Sequence, residues 1–161
     1  MPSLVLPDAA IAAIVNDIHV FGEVGVETGA WLLASEDDPN RIRHVALLGD
    51  AGIVRRPDQL IVSGKAIAIM FGWAVVERLV VRAQVHSHGR EAFMSETDRR
   101  FGFTVEGFIA AIVPFARIAS SRPDAWRWWA FHDGRWSSTD PAVVCDGEVR
   151  VVRFDEAGVH G

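Results

Sequence analysis

A chain of 161 residues, half of them hydrophobic, has the length and the apolar stock to build a sizeable core, read here as a single domain spanning residues 1–161. Its net charge of −5 lacks the basic footprint of a nucleic-acid binder, and its one cysteine, Cys145, excludes an intramolecular disulfide and a thiolate-rich structural zinc site. The longest uncharged apolar stretch, Ala66 to Val76, falls far short of the ~20 residues a membrane span needs, and no basic segment precedes an apolar core at the amino terminus, so a cytoplasmic protein without membrane partners is expected.

In chain order, residues 3–6 read as a short strand, followed by a helix from Asp8 to about His19 in which Ile11, Ile14, Val15 and Ile18 recur at helical spacing. Val26 to Ala34 reads as a strand whose alternation puts Glu27, Gly29, Trp31 and Leu33 on one face, with a position free of side chain beside the acid. The composition of Glu36 to Asn40 marks a hairpin loop, after which a strand is expected at Arg43 to Leu48 and another ending near Val62. Ser63 caps a buried helix running to Val76, and Leu79 to Val85, short and β-branched, reads as a buried strand ending in His86-Ser87-His88. A short helix is expected from Ser95, then a central strand within Gly107 to Phe115. Trp126 to Phe131 and Arg135 to Ser137 flank Asp133-Gly134, a hairpin signal, and Val149 to Phe154 forms a last strand. The sum is an α/β fold with a mixed β-sheet and flanking helices. Trp126 and Trp128 share one strand face and Trp129 takes the other, which suits two layers of core better than a partner surface. Arg55-Arg56 and Arg99-Arg100 read as solvated pairs, the latter able to steer an acidic partner.

The chemistry concentrates in thirteen residues that combine His86-Ser87-His88 with Ser95-Glu96-Thr97-Asp98. On a strand, residues two apart share a face at roughly 6.6 Å along the chain, so both imidazoles reach one ion while Ser87 points away. Ser95 and Asp98, three apart, lie on one side of a helix that starts near Ser95. Three ligands, His86, His88 and Asp98, would leave a fourth tetrahedral position for water, the open arrangement of catalytic zinc. Each fragment also has a plain structural use, since Ser95 to Asp98 equally makes a helix-capping box. Their conjunction between a strand and a helix favours the metal site. Among nearby carboxylates, Glu96 suits an exposed first helical turn, and Glu91 lies in the loop where a substrate would pass.

This segment resembles the His-x-His-(spacer)-Ser-x-x-Asp signature of the JAMM metalloproteases, also called MPN-plus or JAB, and Glu27-Thr28-Gly29-Ala30-Trp31-Leu32-Leu33-Ala34 resembles the family's glutamate strand. The spacer here has six residues and begins with Gly89, where the family usually has seven and a Pro, and Ala34 replaces a common Gly. The resemblance covers most of the chain. It implies a JAMM/MPN-like, cytidine-deaminase-like mixed sheet with flanking helices. It also implies that His86, His88 and Asp98 bind Zn²⁺, that Glu27 takes a proton from the zinc-bound water and hands it to the departing amine, and that Ser95 hydrogen-bonds the oxyanion.

The activity so implied is that of a zinc isopeptidase or peptidase cutting after the C-terminal tail of a ubiquitin-like protein. The tail would be held by β-augmentation, in a space beside the metal that admits only glycine at the cut. In size the chain is similar to bacterial JAMM proteins that work beside E1- and E2-like enzymes in conjugation systems, including antiphage ones of the Bil or CBASS kind. Maturation of a sulfur-carrier protein in cofactor or cysteine synthesis is the alternative activity. A catalytically silent MPN scaffold is the alternative of another class.

Overall fold

The computed structural model describes residues 4–95, 103–140 and 142–161. The helix expected after Ser95, together with Asp98 and the Arg99-Arg100 pair, lies outside the described residues.

Strand β1 (Val5–Pro7) leads into helix α1 (Asp8–Glu23), which runs about a turn beyond the expected end. Its buried stripe of Ile11, Ile14, Val15 and Ile18 continues to Gly22, which passes so close to a later turn that a Cβ would meet the backbone of Ala116 at 2.7 Å. Strands β2 (Gly29–Ser35) and β3 (Asp38–Leu48) form a hairpin about Glu36-Asp37, so most of the segment read as loop is strand. Pro39 is tolerated there because the β2–β3 register shifts between Leu33 and Ser35, and no regular ladder bond is asked of it. A separate two-stranded hairpin, β4 (Ile53–Arg55) with β5 (Leu60–Val62), precedes helix α2 (Gly64–Val76), whose cap Ser63 accepts a hydrogen bond from the Ala66 N–H at 3.1 Å.

The expectation that α2 is buried does not hold. Ala66, Met70 and Ala74 face the core, while Val75 and Val76 are 73% and 80% exposed. An apolar run without a period carries no information on which side is covered.

Strand β6 (Leu79–Ser87) carries the first histidine, and His88 follows its last residue. Strand β7 (Ile109–Val113) is buried along its whole length, parallel to β6 and antiparallel to β8 (Arg127–His132). The β8–β9 (Arg135–Ser138) hairpin turns on Asp133 and Gly134, both at positive φ (51° and 76°), the left-handed pair a type I′ turn requires. The sequence signalled neither β10 (Val143–Cys145) nor β12 (Gly158–His160), which are three residues each, whereas β11 (Arg150–Asp155) falls where the last strand was expected.

Among the described residues ten strands join in one mixed sheet of order β10-β1-β3-β2-β6-β7-β8-β9, with β11 and β12 attached through β3. Helix α1 covers one face over Ala30, Leu32, Val45 and Val85, and α2 covers the other over Trp31, Leu33, Leu48 and Phe154. Trp126 and Trp128 stack at 5.8 Å in the α1 layer while Trp129 lies on the opposite side, as the strand alternation requires. No helix of the described residues is long and apolar enough to cross a membrane.

Candidate active site

Strand pairing assembles the site. Strands β2 and β6 are antiparallel with Gly29 opposite His86 and Ala30 opposite Val85. Continued past the last ladder residue, that register sets Thr28 opposite Ser87, where the Ser87 N–H donates to the Thr28 carbonyl at 2.9 Å, and sets Glu27 opposite His88. The Glu27 carboxylate accordingly lies 4.0 Å from His88 Nε2. Glu27 lies just ahead of β2 rather than inside it, and its N–H donates to the Arg56 carbonyl at 2.9 Å.

All three side chains are withdrawn from water, with relative exposures of 6% for Glu27, 5% for His86 and 7% for His88. The two imidazoles share a face as the strand period demands, with Nε2 to Nε2 at 3.2 Å and ring centroids at 5.1 Å. His88 Nδ1 lies 3.2 Å from the Glu91 carbonyl, which only accepts, so this nitrogen donates. Phe93 packs edge-on against the His88 ring at 5.1 Å. The loop that follows is tied down by hydrogen bonds from the His88 N–H to Val113, from Ala116 to His88 and from Phe115 to Arg90, each near 3 Å.

The donor set suits a zinc ion. Two nitrogens each about 2.0–2.1 Å from one tetrahedral ion stand about 3.3 Å apart, and the observed separation is 3.2 Å. At His88 a backbone acceptor fixes the outer nitrogen, an arrangement that orients metal-binding histidines. Among the described residues no group of three His, Cys, Asp or Glu is arranged to hold a metal. The expected third ligand, Asp98, lies outside them, while Ser95 is described as half-buried at the end of the loop that begins after His88.

Two side chains behind the site, one buried and one largely withdrawn from water, were not recognised from sequence. Ser87, pointing away from the histidines, accepts a hydrogen bond from the Thr28 N–H at 3.0 Å and locks the strand carrying the acid to the strand carrying the imidazoles. Arg55, read as half of a solvated pair, has a side chain only 9% exposed. It donates through Nε to Thr28 Oγ1 at 3.2 Å and through Nη2 to the Leu48 carbonyl at 2.9 Å, and its guanidinium lies 3.9 Å over the Phe21 ring. Burial lowers its pKa from the ordinary value, an effect opposed by the carboxylates of Asp17 and Asp50. In a strand as short as β4, the alternation that turns Ile53 and Arg55 to one side was the only available signal.

No protein-family model matches the chain, and no curated protein is similar to it in sequence. Solved structures do match. A JAB1/MPN domain protein from Archaeoglobus fulgidus is similar with a TM-score of 0.50 and 18% identity, over 90% of this chain and all of that one. The solution structure of a protein from Desulfitobacterium hafniense is similar with a TM-score of 0.68 and 13% identity, over 90% of this chain and 94% of that one. At these identities the likeness is one of fold: a mixed α/β architecture of MPN type.

Proposed function

We propose that this chain is a metal-dependent amide hydrolase that uses Glu27 as its acid–base and His86 and His88, with Asp98, as its metal ligands. The observation that carries this is the meeting of two Nε2 atoms at 3.2 Å with a buried carboxylate 4.0 Å from the second. Zn²⁺ bound there would polarise a carbonyl and acidify a water at neutral pH. Glu27, held by its own N–H and by the Ser87–Thr28 lock, takes the proton of the attacking water and delivers it to the amine nitrogen that leaves. Ser95 donates a hydrogen bond to the carbonyl oxygen as its charge grows. The substrate class we assign is the amide or isopeptide bond after the extended tail of a ubiquitin-like protein. Among the described residues β4 and β5 pair only with each other as strands, and the hairpin would take such a tail as an added strand. Partners of the E1 and E2 type in an antiphage conjugation system belong to the same proposal, by analogy with small JAMM proteins.

A second reading is a non-catalytic MPN module that binds partners, since the likeness to solved structures is one of fold alone. The fold itself serves either reading.

Zinc stoichiometry and cleavage of a ubiquitin-like domain carrying a C-terminal fusion separate them. The hydrolase reading expects about one zinc per chain, lost in the His86→Ala/His88→Ala double variant and kept in Glu27→Gln, which binds metal and does not cut. Zinc retained by the double variant, or cleavage undiminished in Glu27→Gln, overturns it. A chain that holds no zinc and cuts nothing leaves the module.

A further inference from the structure

A cavity of about 270 Å³ lies on the α2 face of the sheet, between β2, β6 and the β4–β5 hairpin, with His86 in its wall. Its lining is mostly apolar, from Trp31, Leu60, Val62 and Phe103, and Gln84 and Gln59 supply carboxamides. The register explains the shared wall: Gln84 stands opposite Trp31 and His86 opposite Gly29, so all four are on one side of the β2–β6 pair. Gly29 adds no side chain where the cavity meets the histidine, and none would fit, since a Cβ there lies 2.6 Å from the Val85 carbonyl oxygen.

The family resemblance implies a space beside the metal that admits only glycine at the cut, and this chamber adjoins His86 as a further, larger space. Its volume approaches the lower end of the ~300–1,000 Å³ typical of small-ligand pockets. An apolar void of that size forfeits packing contacts unless something fills it.

We infer that the cavity is a specificity pocket for a bulky apolar side chain, of leucine or phenylalanine size, on a residue flanking the amide to be cut. The inference rests on the hydrolase reading for its place in the reaction, and it adds a substrate feature that a glycine-ended tail does not supply. The Gln84 carboxamide, donor on one atom and acceptor on the other, matches the backbone amide that carries such a side chain. Hydrophobic walls set the size preference, and the Gln84 and Gln59 carboxamides orient the backbone that enters.

The test is binding, read without turnover. N-acetyl-leucinamide, N-acetyl-phenylalaninamide, N-acetyl-alaninamide and N-acetyl-glycinamide are titrated into the full chain, with and without zinc. The Trp31 indole N–H, assigned through Trp31→Phe, and the Gln84 side-chain amide are followed by ¹H–¹⁵N NMR. The leucine or phenylalanine compound is expected to bind at least 10-fold more tightly than the glycine compound, with the largest shifts at Trp31 and Gln84. Val62→Phe, which fills the chamber, is expected to weaken binding at least 10-fold while keeping a cooperative melt. Leu60→Ala, which enlarges it, moves the preference from leucine toward phenylalanine and serves if Val62→Phe does not fold. Equal affinity for the glycine and leucine compounds, shifts confined to other residues, or binding indifferent to either substitution overturns the inference. The two readings fail separately. Selective binding in a chain that neither holds zinc nor cuts removes the hydrolase and keeps the pocket, whereas zinc-dependent cleavage blind to the flanking side chain removes the pocket alone.

Discussion

Replacing Gly29 with alanine tests the strand register on which the site depends. The added Cβ would lie 2.6 Å from the Val85 carbonyl oxygen, 3.2 Å from Leu60 Cδ2 and 3.3 Å from His86 Cβ. Non-bonded heavy atoms settle at about 3.5 Å or more, so β2 and β6 must part by close to 1 Å at the rung that carries His86. The nearest atom belongs to the backbone and cannot swing away. Overpacking of this kind costs about 1–3 kcal/mol, and the smaller unfolded-state entropy of alanine returns about 0.5–1 kcal/mol. The net loss, up to about 2.5 kcal/mol, lowers the melting temperature by up to about 10 °C in a chain of this size. Because the displaced strand carries one imidazole, zinc affinity measured against a chromophoric chelator is expected to fall about 10-fold or more. Gly72→Ala is the control: it lies on α2 with nothing within 4 Å of its added Cβ, and is expected to stabilise by about 0.5–1 kcal/mol. A Gly29→Ala protein that melts with the wild type and binds zinc equally would refute the register argument.

Other substitutions test the frame and its charges. Arg55→Ala leaves Thr28 Oγ1 without its guanidinium donor and the Leu48 carbonyl with the Arg153 guanidinium alone. It is expected to cost about 1–3 kcal/mol in urea unfolding and to slow cleavage, with Arg55→Lys restoring only part; a loss below about 0.5 kcal/mol would show that Arg55 does not anchor the acid's strand. Asp155 accepts hydrogen bonds from the backbone N–H groups of Asp50, Ala157 and Ala51, with His160 at 3.7 Å. Those N–H donors, Asp50 and Ala157 foremost, hold its carboxyl below the usual range. A depressed folded value stabilises the fold above the unfolded carboxyl pKa of about 3.9, and the contribution fades as pH falls through the folded value. Asp155→Asn should therefore be less stable than wild type at pH 7, with the gap closing below about pH 4. A gap that does not narrow in acid contradicts the assignment.

What sequence alone determined here lies within single elements. The two-residue period of a strand placed His86 and His88 on one side, and the same period sorted Trp126 and Trp128 from Trp129. The Ser63 cap and the Asp133-Gly134 turn were legible because side-chain hydrogen bonding and left-handed backbone are properties of a few adjacent residues. Tertiary structure decided which acid faces the imidazoles. Glu27 reaches His88 through a register joining segments 59 residues apart, as in the Thr28–Ser87 pair, which no local pattern encodes. It also decided that the Arg55 side chain is largely withdrawn from water, that one side of α2 is left uncovered, and that a cavity adjoins His86. Exposure and empty volume depend on which distant segments pack against a residue, and only the assembled sheet specifies that.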